Sequence, residues 1–362
     1  MLRFAIKTQA PEGLWLQRYH TDYSLASSWG MHQIDETWIL LHAMACYVKV
    51  TQDMEFVEES WACVTKAANF PHRALDQQLG LSIQSVDIWE EREGFHAYTS
   101  ASSVAGLKAA AIIGTKLKEH HLADRWAKAA DILARRTVSQ FWNEKEGRFV
   151  SSLHLSAALP MLDSERPELS ATVQHGQRSS TALPQYPNWR DKKSVEVSLR
   201  HDISVFALTV SFDLLQPEDS HIRATIVGLR EKLWNSKVGG IERYEGDSYG
   251  GGNLWPLATL WLAIYEGARG NGEEAASLID WVINHSTPAE LVPEQVHSTL
   301  GHPVAAVSLS WSHAMISIAV AALQGRQVWS LSGWIVKLIV NQNAEVYVTS
   351  IPQRVLRTIS NP

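Results

Sequence analysis

Cysteine is nearly missing from this chain: two, Cys46 and Cys63, in 362 residues. Both fall inside helical patterns, which argues against a disulfide framework and fits a reducing compartment. Basic excess is missing too. The chain has 32 Lys and Arg against 38 Asp and Glu, a formal net charge of -6, and no basic stripe, which argues against nucleic acid as a partner. The balance does not point to a membrane surface either. Long apolar runs are absent. The longest late one, Trp329 to Val340, is too short to span a bilayer and carries Lys337. The opening residues Met1-Leu2-Arg3-Phe4-Ala5-Ile6-Lys7 hold no run suited to a secretory signal. The expectation is a soluble, cytoplasmic protein. Several chemistries also lack their signatures. There is no His-Glu-x-x-His, no zinc knuckle and no Gly-x-Ser-x-Gly elbow. His120-His121 sit on a charged helix turn where solvation is the default. The glycines at 250–252 are not followed by Gly-Lys-Ser/Thr, which excludes a P-loop. No metal or cofactor is expected.

Tryptophan is what the chain has in plenty. Its 15 indoles outnumber the 9 tyrosines and 8 phenylalanines, which suggests aromatic platforms beyond a plain core. At 45% hydrophobic residues the chain can build one large domain or two ordinary ones. Apolar spacing predicts helices over most of it. One ends at Pro11-Glu12-Gly13. Others run over 34–48, from Asp53 as N-cap toward Pro71, and over about 98–117, 122–142, 203–214, 220–233, 254–269, 272–285 and 309–323. Residues 14–28 and 87–94 read as loops, and 150–155 as a possible short strand. The proline-interrupted stretch 160–197 reads as a surface excursion, because helical periodicity resumes on both sides. Paired antiparallel helices of this length suggest an all-α toroid or solenoid.

Five stretches carry candidate chemistry. Asp87-Ile88-Trp89-Glu90-Glu91-Arg92 places two carboxylates beside an indole and an arginine. Leu291-Val292-Pro293-Glu294-Gln295 offers a third. Two carboxylates across a pocket are what glycoside hydrolysis needs, one to protonate the leaving oxygen and one to activate water or attack the sugar. A tryptophan face covers the C–H face of a pyranose while its N–H bonds a hydroxyl. The plain reading of an acidic pair is a solvated helix face. Arg243-Tyr244-Glu245-Gly246-Asp247-Ser248-Tyr249, followed by Gly250 to Trp255, reads as a flexible turn before a helix or as a binding loop. In the loop reading, Arg243 and Asp247 bond sugar hydroxyls while Tyr244 and Trp255 line a pocket. Ser27 to Thr37 is a second aromatic and polar run at a helix start, where Asp35 reads locally as an N-cap. Trp311, in Leu309-Ser310-Trp311-Ser312-His313-Ala314, reads as core or as pocket wall.

Together, in this order and spacing, these runs resemble glycoside hydrolase family 15, the glucoamylase family, over about residues 1 to 324. The likeness is greatest to its bacterial and archaeal members, which include glucodextranases, isomaltose glucohydrolases and trehalases. It is carried by Ser28-Trp29-Gly30 through Gln33-x-Asp35, Trp89-Glu90-Glu91-Arg92, Arg243-Tyr244 with Asp247-x-Tyr249, Gly251-Gly252-Asn253-x-Trp255, Pro293-Glu294-Gln295 and Trp311-Ser312-His313-Ala314. The resemblance implies an all-α (α/α)6 barrel and inverting, exo-acting release of terminal glucose from α-linked oligo- or polysaccharides. It places Glu90 on the general acid and Glu294 on the general base. Asp35, Glu91, Arg243, Tyr244, Asp247 and Tyr249 fall at the substrate, and Trp29, Trp89, Trp255 and Trp311 on the pocket walls. Glu90 stands next to Glu91 and between apolar neighbours, which favours its protonated form.

Three departures stand out. Leu254 replaces the family's usual proline, which is expected to loosen that turn. Residues 327–362 match nothing in the family, so a catalytic domain over 1–326 and an unmatched tail are expected. The family's upstream Trp-x-Arg-Asp stretch is absent, so the barrel is expected to be incomplete and to lack its first helices. A separately encoded N-terminal segment would be its partner, beside an α-linked gluco-oligosaccharide. Two alternatives accompany this reading: an inactive remnant that at most binds oligosaccharide, and an α,α-trehalase.

Overall fold

The computed structural model describes residues 1–26, 33–70, 79–155 and 195–326. Trp29, most of the 160–197 excursion and the tail from Gln327 lie outside the described residues. The chain divides into two compact units. One comprises Met1–Phe141 and Ser152–Ser198, the other Trp142–Ser151 and Leu199–Pro362.

The first unit is built on helices α1 (Leu2–Thr8), α2 (Asp35–Thr51), α3 (Met54–Asn69), α4 (Ala97–Lys116) and α5 (His120–Phe141). Asp53 caps α3 as the sequence predicts: its Oδ1 accepts from the Phe56 N–H at 2.9 Å, filling one of the orphan donors of the first turn. Helix α4 is the centre. It is buried on nearly every face, and its small residues let neighbours come close. At Gly106 a Cβ would stand 2.8 Å from Trp38 Cε3 and 3.0 Å from Trp38 Cα, so α2 lies almost backbone to backbone on α4. Helix α5 buries Ala123, Trp126, Ala130, Leu133, Thr137 and Phe141. That three- and four-residue spacing makes one apolar stripe, which packs on α4.

An antiparallel sheet completes this unit, in the order Ser85–Val86, Glu93–His96, Ser152–Leu155 and Val195–Val197. The possible strand at 150–155 is therefore present from Ser152. The expected 87–94 loop is shorter than predicted, because Glu93 and Gly94 already belong to a strand. Residues 87–92 form the tip of the hairpin between the first two strands. Buried His96 ties three strands together, with Nδ1 2.9 Å from Ser152 Oγ and Nε2 3.0 Å from the Ser85 carbonyl.

The second unit holds α6 (Ser220–Leu233), α7 (Pro256–Ala268), α8 (Gly272–Asn284) and α9 (Ser310–Leu323). Helix α7 is its centre, with every residue from Pro256 to Glu266 buried, and α8 and α9 pack on it. It starts at Pro256, a residue suited to the first helical position because it has no N–H to leave unbonded. Strand Pro293–Val296 pairs antiparallel with Pro303–Val307. The helix expected over 203–214 is instead a short 3-10 turn, Ile203–Leu208. Asp202 starts it by accepting from the Ser204 N–H at 2.8 Å. Among the described residues no helix is long and apolar enough to cross a membrane.

Candidate active site

The first unit presents Glu90 at the hairpin tip. Asp87 braces that tip: its Oδ1 accepts from the Glu91 N–H at 2.9 Å and the Arg92 N–H at 3.3 Å, and its Oδ2 meets Arg92 Nε at 2.9 Å. The Glu90 N–H closes the turn on the Asp87 carbonyl at 2.9 Å. Glu90 itself has φ +64°, a left-handed conformation uncommon for a residue with a side chain and often met at functional sites. Its carboxylate is not surrounded by apolar groups as its sequence neighbours suggested. Gln17 Nε2 donates to Oε1 at 2.5 Å, and an Arg18 guanidinium nitrogen donates to Oε1 at 3.1 Å. Trp89 is buried and Glu91 exposed.

Behind this tip lies the start of α2. Asp35 is not its N-cap; that position is Ile34. The Asp35 carboxyl is 1% exposed and accepts from Gln33 Nε2 at 3.1 Å and Thr99 Oγ1 at 3.3 Å. Burial pushes it up to about 6 against the hydrogen bonds that hold it down. Glu36 is pushed up to about 8, first by burial and then by the charges of Asp35 and Glu90, with Arg18 opposing.

The second unit gathers Arg243, Tyr244, Asp247, Tyr249, Trp255 and Glu294. Arg243 is held on both sides. Its carbonyl accepts from the Ile203 N–H at 3.1 Å. Its guanidinium donates to both oxygens of Asp247, Nε to Oδ2 at 2.9 Å and a terminal nitrogen to Oδ1 at 2.8 Å. The guanidinium carbon lies 4.7 Å from the Tyr244 ring centre, 5.0 Å from Tyr249 and 4.9 Å from Trp255. It is thus a cation lined by three aromatic faces. Arg200 covers Tyr244 as well, at 4.8 Å. The Tyr249 hydroxyl lies 3.5 Å from Glu294 Oε2, the outer limit of a hydrogen bond.

Glu294 is half-buried on its strand, and that strand is fixed at both ends. The Val292 N–H donates to His313 Nε2 at 3.0 Å, and the Leu309 N–H donates to the Val292 carbonyl at 3.0 Å. At the other end Val296 exchanges hydrogen bonds with Leu254, 3.0 and 2.8 Å. The turn at Leu254 is therefore not loosened. The Leu254 N–H makes a bond that a proline cannot make. Buried Gln295 locks the glycine run, accepting from Asn253 Nδ2 at 3.0 Å. Trp311 is half-buried and meets Trp261 edge-on at 6.0 Å.

Sequence reasoning missed Gln17, Arg18, Glu36 and Arg200 as site residues, and read Gln33 only as a motif position. Gln17 and Arg18 sit in a stretch read only as a polar loop. Their partner Glu90 is 73 and 72 residues away, and no spacing rule reports such a contact. Glu36 did carry a signal, the adjacent carboxylates of Asp35-Glu36 at a helix start.

The family model for glycosyl hydrolases family 15 matches residues 5–272. The chain belongs to glycoside hydrolase family 15. It is 30% identical over 331 residues to an uncharacterized glycosyl hydrolase of Methanocaldococcus jannaschii, taking in 88% of this chain and 46% of that protein. It is 26% identical over 245 residues to a glucoamylase of a Clostridium species, across 62% of this chain and 32% of that one. A bacterial glucoamylase solved in complex with acarbose superposes at a TM-score of 0.65 and 18% identity, covering 91% of this chain and 46% of the other. The chain spans less than half the length of these relatives. The structural likeness shows an all-α fold of the family 15 kind, the (α/α)6 barrel.

Proposed function

We propose that the chain carries the acid and the base of an inverting, exo-acting hydrolase that removes terminal glucose from α-linked gluco-oligosaccharides. The observation that carries this reading is the surrounding of Glu294. A half-buried carboxylate lies at a tyrosine hydroxyl, and that tyrosine borders a buried Arg–Asp pair lined by aromatic rings. Such a wall offers flat faces for a pyranose and fixed charges for its hydroxyls.

Glu90 acts as the proton donor to the glycosidic oxygen, and Glu294 takes a proton from the water that attacks the anomeric carbon. The C–O bond breaks as the water oxygen adds from the opposite face, so the configuration inverts. Inversion leaves room for that water between the base and the sugar. Glu91 and the Arg243–Asp247 pair steer the sugar, and Trp89, Trp255 and Trp311 offer it flat aromatic faces. The acarbose bound by the bacterial glucoamylase supports an α-glucan oligosaccharide as the ligand class.

The test is glucose release from maltose, isomaltose and trehalose, side by side, with proton NMR of the anomeric signals in the first minutes. β-Glucose as the first product is expected. An initial α-anomer overturns the inverting mechanism, and release of glucose from trehalose alone overturns the glucan assignment.

A further inference from the structure

The Glu90 carboxyl ends a line of hydrogen bonds that begins at a buried carboxylate. Thr99 and Gln33 donate to Asp35 at 3.3 and 3.1 Å. Gln33 Oε1 accepts from Gln17 Nε2 at 2.8 Å, and the same Gln17 nitrogen donates to Glu90 Oε1 at 2.5 Å. Chemistry fixes the direction of each link. An ionised carboxylate only accepts, so Gln33 turns its NH2 toward Asp35 and its carbonyl toward Gln17. Gln17 must answer that carbonyl with its own NH2. Of the two hydrogens there, one goes to Gln33 and the other points at Glu90. The Gln17 carbonyl oxygen is buried and meets no partner among the described residues, so no bond on that side competes in orienting the amide. Arg18 donates to both oxygens, more closely to Oε1 at 3.1 Å than to Oε2 at 3.4 Å.

We infer that Asp35 is a positioning residue for the proton donor: through Gln33 and Gln17 it keeps Glu90 Oε1 as a hydrogen-bond acceptor, so that the catalytic proton rides on Oε2. The inference rests on the reading of Glu90 as the acid. Asp35, at about 6, is ionised at neutral pH and keeps the line pointing one way. With asparagine at 35 the anchor offers a donor as well as an acceptor. Gln33 and Gln17 can then turn over together, and the Gln17 carbonyl faces Glu90 Oε1. A proton drawn to Oε1 by that carbonyl is held away from the leaving oxygen.

The test uses the full chain and two substrates that differ in their need for the acid. One is whichever of maltose, isomaltose and trehalose is cleaved fastest, whose sugar must leave protonated. The other is α-glucosyl fluoride, whose fluoride departs with little protonation. Asp35→Asn is expected to lower kcat/KM on the disaccharide by about ten- to a hundredfold and to leave the fluoride within about twofold. Glu90→Gln should show the same split, more deeply. Equal loss on both substrates in Asp35→Asn, with the split intact in Glu90→Gln, means that Asp35 only supports the fold and overturns the inference alone. No split in Glu90→Gln, or no turnover of either substrate by the wild-type chain, overturns the reading of Glu90 and the inference with it. Should Asp35→Asn fail to fold, Gln17→Leu decides. Gln17 is half-buried, and its removal cuts the same line next to Glu90.

Discussion

Arg243 grips both oxygens of Asp247, at 2.9 and 2.8 Å, and the two side chains are 3% and 0% exposed. Neither charge can be hydrated once its partner is gone, so breaking this pair costs about 3–5 kcal/mol. Arg243→Ala is expected to lower the unfolding free energy by that amount in urea denaturation. Arg243→Lys should lose much of it as well, because an ammonium has neither the two-pronged fork nor the flat face that meets Tyr244, Tyr249 and Trp255. A Lys variant as stable as wild type would show that the fork is not what the site needs. The double change Arg243→Met with Asp247→Leu removes both charges and should recover much of the stability. Activity should stay lost, which separates folding from function.

The glycine run next to that pair is a second place where geometry leaves little choice. Gly252 has φ +69°, and a Cβ there would stand 2.4 Å from the Asp247 carbonyl oxygen. Gly250 has φ +63°, with a Cβ 2.4 Å from Gln295 Oε1, a side-chain atom and not backbone. Gly252→Ala should therefore be the more damaging of the two. Strain alone is worth about 1–3 kcal/mol at such a φ, and relief of the backbone clash must move Asp247 away from Arg243. Equal melting temperatures for the two variants would contradict this ranking.

Replacing the carboxylates tests the chemistry itself. Glu90→Gln and Glu294→Gln should each cost at least about a hundredfold in rate. The two sites are told apart by adding azide to Glu294→Ala. A small anion can enter the space left by the base and attack the anomeric carbon directly, restoring turnover with β-glucosyl azide as product. Azide should do nothing for Glu90→Ala on a disaccharide, which still lacks its proton donor. Rescue of the Glu90 variant instead would exchange the two roles.

The helices and the acidic motifs were legible in the sequence for local reasons. The stripe of α5 is a repeat of three and four residues, and the Asp53 cap is a single side chain three residues from its donor. Apart from the one at Ser152–Leu155, the strands were not. Ser85–Val86, Glu93–His96 and Pro293–Val296 are two to four residues long, too short for alternation to emerge, and the Glu93–His96 strand pairs with residues near 152. The 3-10 turn at Ile203–Leu208 was hidden by an apolar run that fits a helix equally well. At the site, the residue types and their order along the chain could be read. What could not be read was what stands behind them: Gln17 and Arg18 on Glu90, Gln33 on Asp35, and His313 holding the strand that carries Glu294.

Glu36 links the site to the stability of the fold. Its carboxyl is pushed from 4.5 up to about 8, mainly by burial at the start of α2 and then by the charges of Asp35 and Glu90. A carboxyl whose folded pKa is raised binds its proton more tightly in the native state. Between about 4.5 and 8 the native chain keeps a proton that the unfolded chain has released, so stability falls as pH rises through that window. Below it both states are protonated and nothing is lost; above it both are ionised and the loss is complete. Asp35 contributes with the same sign between 3.8 and about 6. Glu36→Gln keeps the shape and removes only the titration, leaving the Asp35 contribution common to both proteins. The melting temperatures of wild type and variant should therefore nearly coincide at pH 4.5. They should separate steadily as pH rises, with the variant higher, and run parallel above about pH 8. A difference that stays flat from pH 5 to pH 8 would mean that Glu36 is already ionised in the folded protein, and that the carboxylates around Glu90 bear their mutual repulsion in some other way.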